Sequence, residues 1–239
     1  MIMLHDRDIR EPLFDFLEEY FGKIRIIEEK TTGRSRADIV MVTPDSLYGI
    51  EIKSDADTYV RLSRQIKDYD RYFDYNIVVA GSSHGLHIRE HVPDYWGIIT
   101  VEQMENGLDF YILREPQTNP KAEWKHKLSI LWRPELAQLQ EWNDMPKYKE
   151  KSKAFVCGKI AERIPERIPE ERVREQVSEI LFERDYNEVD AILSDYRRGE
   201  IQKKLDQETD PRKRAELMME QAKSRLQLRQ AGRRRKRSG

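Results

Sequence analysis

The stretch that most constrains this chain is residues 37–53, ADIVMVTPDSLYGIEIK. Two apolar runs, 39–42 and 47–52, flank Thr43-Pro44-Asp45-Ser46. Both runs read as strands, and Pro44-Asp45 is turn chemistry. Pairing about that midpoint sets Asp38 opposite Glu51 on one face, with Cβ atoms roughly 5 Å apart. Lys53, two residues on, joins the same face, while Ile50 and Ile52 point the other way into a core. Two carboxylates so placed repel unless a cation sits between them. Oxygen ligands suit Mg²⁺ or Mn²⁺, which keep several waters and accept phosphate oxygens. Such an ion can activate water and neutralise charge on a phosphodiester. Lys53 is then the group to orient the water or steady the developing charge. An exposed polar sheet face with a cross-strand ion pair would show the same spacing.

The following block, SDADTYVRLSRQIKDYDRYFDYNIVVA, predicts a helix over 59–73 capped by Asp57 or Thr58. Leu62, Ile66, Tyr69 and Phe73 form its buried stripe, and Gln65 and Tyr69 are one turn apart. Asp38, then Glu51-Ile52-Lys53, then Gln65 and Tyr69 resemble the PD-(D/E)XK nuclease superfamily and its restriction-endonuclease-like fold. A small bacterial and phage group is more similar still. It shares the start Asp6-Arg7-Asp8-Ile9-Arg10, the strand at 36–39, the block at 49–69 and the element Pro93-Asp94-Tyr95-Trp96-Gly97-Ile98. The first carboxylate departs from the pattern in following Ala37 and not proline.

The resemblance implies an α/β fold, a central mixed sheet flanked by helices with a helical C-terminal extension. It implies Mg²⁺ (or Mn²⁺) held by Asp38, Glu51 and the Ile52 backbone carbonyl, with Lys53 and Gln65 completing the catalytic set. Relatives often place an acidic residue of the first helix by the metal, which nominates Glu11 first and Asp8 second. The implied activity is hydrolysis of DNA phosphodiester bonds in repair, recombination or a phage setting; RNA stays open. Arg10, Arg34, Arg36, Arg61, Arg64 and Tyr69 are the candidates to meet nucleic acid. The alternative is a catalytically silent nucleic-acid-binding or adaptor protein on the same fold.

Elsewhere the pattern predicts a helix over 6–21, with Ile9, Leu13, Phe16, Leu17 and Tyr20 on one side. Strands are expected at 23–29, 75–80, 96–101 and 109–113, the last an edge strand after the turn Glu105-Asn106-Gly107. The near-continuous apolar run at 75–80 reads as a central strand. His84, His87 and His91 recur at helical spacing and invite a zinc reading, but no Cys partner or HExxH motif accompanies them. After Pro116 the chain turns helical, with helices expected at 124–139 (broken near Pro134), 154–163 and 169–185. This divides the chain into 1–115, a nuclease-like domain, 116–200, a helical region, and 201–239, a charged tail. Over residues 203–239, 13 Lys/Arg face 5 Asp/Glu. The run Arg233-Arg234-Arg235-Lys236-Arg237 looks like a polyanion-binding arm or a solvated end. The C-terminal helices are candidates for a homodimer contact or a protein partner. Cys157 is the lone cysteine, which fits a reducing cytoplasm. The first residues lack a signal-peptide apolar segment, and no run of 18 apolar residues predicts a membrane span.

Overall fold

The computed structural model describes residues 4–184 and 213, apart from 34, 55, 56, 82, 83, 86 and 149. Helix α1 (Asp6–Phe21) precedes strands β1 (Arg25–Thr32), β2 (Ser35–Val42) and β3 (Leu47–Lys53). A single 3₁₀ turn, Tyr59–Arg61, leads into α2 (Leu62–Tyr72). Strands β4 (Tyr75–Gly81), β5 (Gly97–Met104) and β6 (Gly107–Arg114) complete one six-stranded sheet in the order of the chain. The sheet is mixed: β3, β4 and β5 run parallel, and the flanking pairs are antiparallel. Parallel neighbours need a crossover, and α2 supplies the one between β3 and β4. Among the described residues four helices follow: α3 (Trp124–Leu128), α4 (Arg133–Trp142), α5 (Lys153–Ala161) and α6 (Glu170–Glu183). Met1–Glu183 form one compact unit and Arg184–Gly239 a second. No helix among the described residues is long and apolar enough to cross a membrane.

Strand alternation assigns the two faces. Ile39, Met41, Ile50, Ile52, Ile77, Val79, Ile99 and Val101 share one buried cluster with Ile9, Leu13 and Leu17 of α1. The odd positions of β3 face α2 instead. Gly49 lies under that helix: a Cβ there would come within 2.7 Å of the Tyr69 ring and closer still to Phe73, so only glycine lets α2 dock. The far end of α2 is fastened by Asn119, whose Nδ2 donates to the carbonyls of Asp70 (2.8 Å) and Phe73 (2.7 Å), acceptors a helix end leaves orphaned. Asp70 accepts from Tyr95 Oη at 2.6 Å and from Trp96 Nε1 at 2.9 Å, which gives the Tyr95-Trp96-Gly97 element its role.

The helical region docks through Asp74, which is 2 % exposed. Lys127 of α3 pairs with Asp74 Oδ1, as does Arg174 Nη1 of α6 at 2.9 Å, and Oδ2 accepts the Leu47 N–H at 3.0 Å. Lys127 also lies over the Trp124 ring, 4.0 Å from its centre, so Trp124 packs on a buried cation.

Candidate active site

The β2–β3 ladder runs from Val42↔Leu47 to Ile39↔Ile50, the register expected from the turn. One step further Asp38 and Glu51 stand at opposed positions, and there a side chain takes over from the backbone. Asp38 Oδ2 accepts the Ile52 N–H at 2.9 Å. The N–H and C=O of one strand residue point the same way, so the Ile52 carbonyl is turned to this side as well. Glu51 is 1 % exposed and Lys53 is 6 % exposed, at the floor of a cleft of about 390 Å³ that they share with Asp38, Ile52 and Gln65.

The floor is a closed set of hydrogen bonds. Lys53 Nζ donates to Glu51 Oε1 at 2.6 Å and to Gln65 Oε1 at 3.1 Å. Gln65 Nε2 donates back to Glu51 Oε1, so its amide bridges the ion pair. Tyr69 Oη donates to Glu51 Oε2 at 2.7 Å and accepts the Asp38 N–H at 3.2 Å. Burial, then the charges of Glu51 and Asp38, push the Tyr69 phenol well up, which keeps it a donor.

Tyr69 therefore corrects one expectation. Its side chain is 0 % exposed, because α2 buries it against Gly49, so it cannot meet nucleic acid and instead fixes Glu51. Glu11 is a second correction: it is exposed and outside the cleft. The acidic residue that α1 does bring there is Asp6, roughly 140° round the helix from Glu11. The signal for it was the i,i+4 spacing to Arg10, whose Nε donates to Asp6 at 2.8 Å. Asp8 instead receives the His5 N–H at 3.0 Å, closing the start of the helix. Arg10 spends its guanidinium on carboxylates and backbone, reaching Glu28 at 3.2 Å and the Asp38 carbonyl at 3.3 Å, a structural tie across the cleft wall. Arg36, Arg61 and Arg64 line the cleft. Arg34, Arg233, Arg234 and Arg235 lie outside the described residues. Asp57 is not a helix cap: its carboxylate takes the Ser54 N–H at 2.9 Å and the Ser54 hydroxyl at 2.6 Å.

The three histidines do not converge on a metal. The ring nitrogens of His84 meet Tyr59 Oη at 2.9 Å and the Asp57 carbonyl at 3.1 Å. His91 stacks on Tyr59, and His87 is exposed beside Glu90.

Asp38 is the electrostatic weak point of the cleft. Burial, then repulsion from Glu51, push its carboxyl up to about 7, against the opposing pull of the Ile52 N–H and Arg10. A folded-state pKa above the unfolded value of 3.8 means that the folded chain binds the extra proton between the two. Stability is then highest below that window and is lost as pH rises towards 7, with a slope of at most about 1.4 kcal/mol per pH unit. Thermal melts across pH 4–8 in EDTA should show this fall, and Asp38→Asn should flatten it. A melt that does not respond to pH in the wild type would show the pair to be relieved in some other way.

The donor set left by this geometry fits a hard divalent cation. It comprises Asp38 Oδ1, which Arg10 approaches to 3.7 Å, the Glu51 carboxylate and the Ile52 carbonyl. Among the described residues no three His, Cys, Asp or Glu side chains form a metal-holding group, so water and substrate oxygens would complete the shell. Residues 4–208 match the family model described as bacteriophage P4 protein cII. No curated protein and no solved structure matches the chain.

Proposed function

The chain belongs to the bacteriophage P4 protein cII family, a phage-related one, and we propose that it is a Mg²⁺-dependent nuclease that hydrolyses DNA phosphodiester bonds. The observation that carries this reading is the Asp38–Glu51–Lys53–Gln65 constellation at the floor of one cleft. The mixed sheet with α1 on one face and α2 on the other supports a restriction-endonuclease-like fold.

In hydrolysis, water adds to phosphorus, one P–O ester bond breaks and the departing oxygen takes a proton. A monoester and a hydroxyl result. Asp38, Glu51 and the Ile52 carbonyl would hold the cation, which supplies charge neutralisation and a more acidic water. Lys53 has two of its three donors on Glu51 and Gln65, which fixes the ammonium and leaves one N–H for a substrate or water oxygen. Gln65 and Tyr69 hold Glu51 in one rotamer, so the carboxylate needs no reorganisation as charge develops. Arg61 and Arg64 at the rim meet backbone phosphates.

The test is cleavage of plasmid, linear duplex, single-stranded and branched DNA in Mg²⁺, Mn²⁺ or EDTA. Wild type is expected to cut with either metal, and Asp38→Ala and Glu51→Ala to lose the activity. Metal-independent tight binding without cutting would favour a silent nucleic-acid-binding protein instead.

A further inference from the structure

The turn that leads into α2, flanked by the cleft-lining Asp57 and Arg61, carries groups that hydrolysis itself does not require. Val60 is 84 % exposed, the most exposed large hydrophobic side chain among the described residues. It sits in the turn Tyr59–Arg61, next to the cleft-lining Arg61. The Tyr59 ring stacks on His91, with centres 4.0 Å apart and planes at 26°, and meets His84 edge-on at 4.9 Å. His84 also holds this segment through the Tyr59 hydroxyl and the Asp57 carbonyl. The turn is therefore tied to His84 and His91, and His91 is itself exposed.

An aliphatic tip, a stacked aromatic pair and two arginines form the chemistry that receives an unstacked base with its phosphates. The depth of the cleft points the same way. With Glu51 and Lys53 almost fully covered, a phosphate must be lowered to the floor to react. A duplex holds each phosphate in a stiff row with its neighbours, whereas a strand without a partner can bend one phosphate inward and splay its base aside. We propose that Val60 and the Tyr59–His91 stack form a platform for an unpaired base beside the cleft, so that the substrate is a single-stranded DNA end or flap and not a continuous duplex. What happens to the strand rests on the nuclease reading; the platform is tested by binding.

The experiment measures fluorescence anisotropy of the full chain with a labelled single strand, its duplex, and the same strand carrying abasic sites near its end. Ca²⁺ is present to neutralise the carboxylates, and cleavage in Mg²⁺ is followed separately. Wild type should bind the single strand about tenfold more tightly than the duplex or the abasic strand. Val60→Ser and His91→Ala should each lower single-strand affinity about tenfold and leave the abasic strand unaffected. Val60 is solvent-exposed, so Val60→Ser should melt like wild type, which keeps the test clear of misfolding. Equal binding of duplex and single strand, or wild-type behaviour of Val60→Ser, would overturn the platform even if the protein cuts duplex DNA. Base-dependent binding with no cutting in Mg²⁺ would support the platform and remove hydrolysis.

Discussion

Replacing Asp74 by alanine should cost about 3–5 kcal/mol of stability, because it strands Lys127, a cation that the fold has taken out of water, and takes one of two carboxylates from the half-buried Arg174. Lys127 is almost fully buried, and burial already lowers its pKa against the opposing pull of Asp74. Without the carboxylate, the Trp124 ring and the more distant charge of Glu170 would be left to face that ammonium. Arg174 is better placed to adapt, since Glu170 accepts from it at 2.8 Å. The Leu47 N–H at the start of β3 would lose its acceptor too. For a unit of this size the loss amounts to roughly 10 °C in Tm. Asp74→Asn keeps an acceptor for Leu47 but not the charge, so it separates the two contributions. The double exchange Asp74→Leu with Lys127→Met should recover much of the loss, as apolar replacement of a buried pair often does. A small effect of Asp74→Ala in denaturant titrations would mean that Lys127 gives up its proton cheaply, and that the pair specifies docking more than it stabilises.

That network was not legible in the sequence, and the reason is physical. Asp74 and Lys127 are 53 residues apart, and each looks like an ordinary surface charge within its own segment. The β2–β3 hairpin was legible because it is local: one turn and two apolar runs fix the register, and with it the meeting of Asp38 and Glu51. The buried stripe of α1 could be read as well, since Ile9, Leu13 and Leu17 recur at helical spacing. The Asp6–Arg10 spacing marks an ion pair on α1, but which part of the helix overhangs the cleft is a tertiary fact, so spacing alone does not set Asp6 there in place of Glu11. Tyr69 illustrates the same limit from the other side. Its spacing from Gln65 was visible, but its burial depends on the missing side chain of Gly49 across the helix–sheet interface. The Val60 tip carries no signal in the sequence, because a lone valine in a polar stretch means nothing until its neighbours are placed.

The exchange Lys53→Met is expected to lower kcat by about a hundredfold to a thousandfold while DNA binding persists. The methionine keeps the length of the side chain in a covered position and removes only the ammonium. Two separate consequences follow, and they can be told apart. Lys53 is the counter-charge of Glu51 at 2.6 Å, so its loss leaves the Glu51–Asp38 pair with less positive charge beside it and favours a proton on the pair. That effect weakens cation binding, and more Mg²⁺ or a higher pH would repair it. The loss of a fixed donor at the reacting phosphate is of another kind, because no concentration of metal restores it. Single-turnover rates measured against Mg²⁺ concentration should therefore reach a plateau that stays low in Lys53→Met. Gln65→Leu, which removes the bridge to Lys53 but not its charge, should lower the same plateau by a smaller factor. Recovery of the wild-type rate at saturating Mg²⁺ would take Lys53 out of the chemistry and leave it as the partner that lets Glu51 remain buried.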